Sequence, residues 1–247
     1  MKRLNPVVPV VLSFVILCGA LVLCESVSDK SEEMTNLFYH YYSFEPTSLL
    51  EEIEAGNINV FSPIAEEPPL VPSDQQISVP WTQGDYFRIA NALFEFARGD
   101  TLDGWQLNSM YFILGCPEFG TGLQDGNLEF FKIVKTNERV SRIVRIVNIY
   151  PRNKYVFITE NEYYPKLVDW SSINFGENMF SADAVLQIAD KAGGQVKRLS
   201  VENACNISLL LSPDSASYEG WWAHYYRRDD DTTLFRVKID PITGEVR

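Results

Sequence analysis

Residues Phe235–Arg247 read FRVKIDPITGEVR. Phe235, Val237 and Ile239 alternate with Arg236, Lys238 and Asp240, the period-two pattern of a strand with one face buried. DPITG then predicts a tight turn, because the Asp240 carboxylate can accept backbone N–H groups, Pro241 presets φ and Gly244 tolerates φ > 0. Glu245–Arg247 begin a return, so the stretch reads as a last strand whose edge is finished by a short stub.

Working outward, NACNISLLLS and GWWAHYYRRD are two further strands, joined by PDSASYE, and DDDT leads into TLFRVKID. Before them SADAVLQIADKAGG predicts a helix. Ser181 is its N-cap, Val185, Ile188, Ala189 and Ala192 form its apolar face, and Gly193-Gly194 its stop. The same order occurs once earlier. TQGDYFRIANALFEFARG has Thr82 or Asp85 as cap, Ile89, Ala90, Leu93, Phe94 and Ala97 at helical spacing, and Gly99 at C′. Four runs of strand character follow it: WQLNSMYFILGC, LEFFKIV, SRIVRIVNIY and KYVFITENEYY. Their short connections demand antiparallel neighbours.

The expected fold class is therefore α+β, with two helix-plus-antiparallel-sheet units in tandem behind an N-terminal apolar segment. The expected boundaries are 1–28 for a signal anchor or signal peptide, 29–80 for a partly ordered tether rich in aromatics and prolines, 81–170 for the first unit and 171–247 for the second.

The second unit resembles the PepSY domain over about Phe180–Arg247. The resemblance is carried by SADAVLQIADKAGG, the Trp-bearing strand GWWAHYYRR and the closing Asp-x-x-Thr-Gly-Glu-Val hairpin. It implies a cystatin-like helix held on a curled antiparallel sheet. That family occurs in propeptides of secreted metallopeptidases and in exported bacterial proteins, so it also implies regulation or inhibition of an envelope peptidase or sensor. The first unit shares only the order of elements.

Lys2 and Arg3 precede the uncharged run Asn5–Cys24, and acidic residues begin at Glu25. The run is near the lower length for a bilayer span, with its basic flank cytoplasmic and the remainder exported. Three fates stay open: an uncleaved anchor, cleavage after Ser28 with secretion, or lipid attachment at Cys24. Two cysteines are left for the exported part, Cys116 and Cys205, either paired in an oxidising compartment or buried as thiols.

The net charge of −12, from 33 acidic and 21 basic residues, repels phosphate backbones and argues against a nucleic-acid partner. With His40 and His224 as the only histidines and no zinc-ligand spacing, no metal or catalytic residue is assigned and no cofactor is expected. Cys205 with His224 is the one thiol–imidazole pair, and Asp229-Asp230-Asp231 reads as a solvated hairpin tip.

One feature points to binding. In GWWAHYYRR, Trp222, His224, Tyr226 and Arg228 oppose Trp221, Ala223, Tyr225 and Arg227, so both faces of one strand carry large aromatics. One face meets its helix. The other is covered by the first unit or marks a protein-interaction surface. The expected function is an extracytoplasmic binding protein with an unidentified protein partner, the alternative a structural spacer of a cell-surface complex.

Overall fold

The computed structural model describes residues 33–72, 76–136, 140–164, 179–212 and 220–247. The expected anchor or signal segment and the PDSASYE connection lie outside these residues.

Nine strands form one sheet in which every neighbouring pair is antiparallel. They are β1 Glu33–Ser43, β2 Ser62–Ile64, β3 Gln106–Gly115, β4 Asp125–Lys135, β5 Val140–Tyr150, β6 Tyr155–Tyr164, β7 Cys205–Ser212, β8 Gly220–Arg227 and β9 Thr233–Ile239. Their spatial order is β2-β1-β6-β5-β4-β3-β7-β8-β9. The described residues also form helices α1 Leu49–Glu54, α2 Gln83–Arg98, α3 Ala182–Ala189 and α4 Gln195–Ser200.

The expected tandem of two helix-plus-sheet units is corrected by this topology. The outer edge of β3 is not left free; it pairs with β7 from Met110↔Leu211 to Gly115↔Asn206. Directly opposed residues share a face. Met110, Phe112 and Leu114 therefore continue into Leu211, Leu209 and Ile207, and these into Trp221, Ala223 and Tyr225. All nine are buried in one hydrophobic cluster that also holds Ile89 and Phe94 of α2 and Val185 and Leu186 of α3. A disulfide joins Cys116, just past β3, to Cys205 at the start of β7, with Cα atoms 5.3 Å apart.

The two main helices are tied at their N-termini. The Gln83 side chain accepts a hydrogen bond from Ala182 N (2.7 Å), and the Asp183 carboxylate accepts one from Gln83 N (2.9 Å). Each helix thus satisfies a backbone donor that the other leaves orphaned. Locally the expected signals operate: Thr82 N donates to Asp85 (2.7 Å), Gly99 takes φ 61° after α2, and Ser181 Oγ accepts from Ala184 N (3.3 Å).

One further expectation changes. The stretch 29–80 supplies β1, which pairs with β6 over ten residue pairs, and β2, instead of a tether. The aromatic run there is a strand because its alternate members, Phe38 and Tyr42, pack on the helix side while Tyr39 and Tyr41 take the other. Gly193-Gly194 interrupts the helix as expected, with Gly193 at φ 141°, and the chain turns there directly into α4. A Cβ on Gly194 would overlap the Tyr225 ring, and one on Gly193 would sit 3.1 Å from Phe235. The glycines let two strand aromatics press against helical backbone.

Both sheet edges are blunted. β2 is three residues long and contains Pro63. Beside β9, Lys238 and Arg247 exchange both backbone hydrogen bonds (3.3 and 2.8 Å), so the return after the DPITG turn covers the last residues of that edge.

Two outcomes follow. Replacing Cys116 and Cys205 by Ala opens a link spanning 89 residues in sequence, and the chain-entropy account puts its contribution at about 4 to 5 kcal/mol. Denaturant unfolding should show a loss of that order, and an unchanged midpoint would mean that the link constrains nothing. Gly194→Ala should cost about 1–3 kcal/mol through overpacking against Tyr225, where an ordinary helix position would gain from Ala.

Candidate functional site

The residues expected to bind a partner sit on the open, helix-free face of the sheet. Trp222, His224 and Tyr226 are half-buried and Arg228, beyond the end of β8, is exposed. Their strand neighbours already occupy them. Trp222 carries the Arg236 guanidinium 4.3 Å above its ring, and His224 Nε2 lies 2.9 Å from Thr233 Oγ1. Burial, helped by the nearby Arg236 charge, lowers the His224 pKa and favours the neutral ring. Arg228 Nε donates to Asn206 (3.3 Å). These four form a row along one strand flanked by Ser208, Arg236 and Lys238. The Cys205–His224 thiol–imidazole pair does not exist, because Cys205 is in the disulfide. Arg227 neutralises part of the Asp229–Asp231 tip with a two-pronged bridge to Asp229 (3.0 Å for both contacts).

Concavity lies on the other face. The outward side of α2, the end of α1 and the connection from α2 to β3 enclose an open groove of about 710 Å³. Phe87, Leu102, Trp105, Leu107 and Phe130 give it apolar walls, with Ile53 and Ile58 closing one side. Its polar rim is Arg88, Asn91 and Glu95. Arg88 is held by Glu54 of α1 and by Asp85 one turn back on α2, which fixes α1 against α2. A pocket of this size with few polar groups is the form expected of a ligand site.

The groove wall depends on a charge network behind it. Arg145 of β5 points to the helix side and is almost fully buried. Its Nε donates to Glu160 (2.6 Å), its Nη2 to Asp100 (2.6 Å) and its Nη1 to the Thr101 carbonyl (3.3 Å). The guanidinium also packs 4.0 Å from the Trp105 ring centroid and 4.5 Å from that of Phe94. Arg98 adds a second cation to Glu160 at 3.4 Å. The Asn91 side chain accepts from Leu102 N (3.0 Å). Asp100, Thr101, Leu102 and Trp105 are thereby held in place by one strand and one helix. A buried arginine with both carboxylate partners and a carbonyl satisfied is stable only as a set.

The chain also builds an aromatic array on the open face. Tyr41 stacks on Phe157 (4.7 Å), Tyr39 meets the same ring edge-on (4.7 Å), and Tyr150 lies 4.8 Å from Tyr155. A hydrogen bond with Tyr39, and then burial, push the Tyr41 hydroxyl up to about 12. The sequence reading found neither the array nor the groove. The aromatic run containing Tyr39 and Tyr41 was visible, but its partners Phe157 and Tyr155 enter only through the β1–β6 register. The groove residues come from four separate elements with no common spacing.

Among the described residues no group of His, Cys, Asp and Glu is arranged to hold a metal ion, and no helix is long and apolar enough to cross a membrane.

Acid should loosen the groove wall. The hydrogen bond from Arg145, against a smaller opposing effect of burial, holds the Asp100 carboxyl below the usual carboxylate range. A folded-state pKa below the unfolded one stabilises above the unfolded value, about 3.9, and that stabilisation is lost as pH falls through the folded value. Asp100→Asn should therefore flatten the drop in denaturant midpoint below about pH 4 relative to the parent, and an identical acid slope would rule this out. Compared with protein-family models, curated proteins and solved structures, the chain matches none, so its own geometry is the basis for a functional reading.

Proposed function

We propose that this chain is an extracytoplasmic binding protein, anchored by or secreted through its N-terminal apolar segment, that receives an apolar group of a partner in the groove beside α2. The observation that carries the reading is the groove itself: aromatic and aliphatic walls with a narrow polar rim, held open by the Arg145 network. The disulfide between Cys116 and Cys205 supports export, because such bonds persist in oxidising compartments. The PepSY-like motifs of the last third of the chain make an envelope peptidase or sensor the natural partner class, with the groove taking its apolar side chains. The spacer alternative has less support. Assembly by joining sheet edges is opposed by the short, proline-bearing β2 and, at the last residues of β9, by the return of the chain.

The test uses a neutral apolar fluorophore, N-phenyl-1-naphthylamine, titrated into the full chain. Saturable binding should appear and weaken about tenfold in Phe87→Ala, which removes one apolar wall residue. Trp222→Ala, on the opposite face of the sheet, should leave it unchanged. Binding that follows Trp222 instead of Phe87 would move the site to the open face, and absence of saturable binding would overturn the reading.

A further inference from the structure

The rim of the groove beside α2 carries an excess of negative charge. Arg88, Asn91 and Glu95 recur at i, i+3 and i+7, so they form one stripe along α2. The Arg88 guanidinium is spent on two carboxylates, Glu54 and Asp85. The Asn91 side-chain oxygen is taken by Leu102 N, while its amide N–H groups have no partner among the described residues. Glu95 is exposed and has no hydrogen-bond or ion-pair partner among the described residues. Asp103, between the lining residues Leu102 and Trp105, is a second exposed carboxylate in the same state.

The cations of this region are committed elsewhere. Arg145, behind Trp105, is matched by Glu160 and Asp100, and Arg98 turns to Glu160 and to the Phe38 ring. Lys132, two residues past Phe130, is not among the lining residues and lies near Asp100, whose carboxyl it helps slightly to keep ionised. These six carboxylates thus face four cations, and the two without partners are Glu95 and Asp103. A guanidinium 4.0 Å from the Trp105 ring centroid also makes that ring a poor seat for a second cation. A positive group entering the groove is therefore drawn to Glu95.

The groove has two distinct ends. Phe87 and Phe130 meet edge to face (5.8 Å) at one, and Trp105, which shares Arg145 with Phe94, lies toward the other, where Glu95 follows. From Phe87 to Glu95 the helix rises about 12 Å. An extended peptide covers that in three or four residues, at about 3.3 Å each.

Resting on the groove reading above, we propose that the occupant is an extended partner segment in which apolar side chains are followed, three or four residues on, by a Lys or Arg. The apolar side chains fill the space between Phe87, Phe130 and Trp105, the cation meets the Glu95 carboxylate, and the Asn91 amide donates to a backbone carbonyl of the segment. An acidic residue in the same place meets carboxylates and no free cation, so the rim selects against it.

The experiment displaces bound N-phenyl-1-naphthylamine from the full chain with acetyl-Phe-Leu-Ala-Leu-X-amide, where X is Lys, Gln or Glu. The Lys peptide should act at about two- to fivefold lower concentration than the Gln peptide, the worth of one exposed ion pair, and the Glu peptide at higher concentration than either. Glu95→Gln should abolish the difference between Lys and Gln. Glu202→Gln, which removes one charge from the connection between α4 and β7, should keep it. Equal displacement by all three peptides, or a Lys advantage that survives Glu95→Gln, would overturn the charge selection and leave the groove reading intact. A bound fluorophore that no peptide displaces would overturn the peptide occupant alone. Absence of saturable fluorophore binding would overturn the groove reading, and this proposal with it.

Discussion

The pairing of β3 with β7 is the constraint on which the molecule depends. Each side of that junction is a local meander with an edge strand whose backbone donors and acceptors are unpaired on one side. Joining the two edges satisfies those groups, aligns the apolar faces of β3, β7 and β8, and lets α2 and α3 share one core. The Cys116–Cys205 bond and the reciprocal contacts of Gln83 with Ala182 and Asp183 hold the same junction from the sheet layer and from the helix layer. Loss of this pairing would expose Met110, Phe112 and Leu114 on one side and Leu209 and Leu211 on the other.

Because the helices occupy a single face, the two faces of the sheet do different work. The helix side is apolar, and a buried pair, Arg145 with Glu160, joined from nearer the surface by Asp100 and Arg98, sits behind the groove wall. There the ions are paired and Arg145 stacks on Trp105 and Phe94, which offsets part of the cost of their burial and yields a defined wall. The open side is covered by its own side chains. Phe131 lies under Arg142 (4.3 Å), Trp222 under Arg236, and Phe157 between Tyr39 and Tyr41. This explains why the aromatics of β8 are half-buried with no second layer over them among the described residues.

Much of the local structure was legible from residue pattern. Both long helices, with Thr82, Gly99 and Ser181 at their ends, and the seven strands from β3 to β9 lie where alternation and turn residues indicate. Legibility failed where the deciding partner is distant. Phe38–Tyr42 read as tether because a strand without a hairpin partner has no local mark, and its partner β6 begins over a hundred residues later. The stop at Gly193-Gly194 was legible, but not the room these glycines leave for Tyr225 and Phe235, because those rings belong to strands. Of the candidate site, Phe87 and Asn91 could be placed on the exposed side of α2, but nothing marked Trp105 or Phe130 as their neighbours.

By itself the sequence determined the two main helices and the strands from β3 to β9, which side of each is apolar, how the last turn closes, and the acidic net charge. These follow from periodicities and caps that act within a few residues. Only the tertiary structure decided that two meanders become one sheet, that Cys116 meets Cys205, that Arg145 is buried among two acids, and that a groove opens beside α2. Each of these is a meeting of residues from separate elements, set by register and by the shared core, and a register between strands some ninety residues apart leaves no trace in either strand alone.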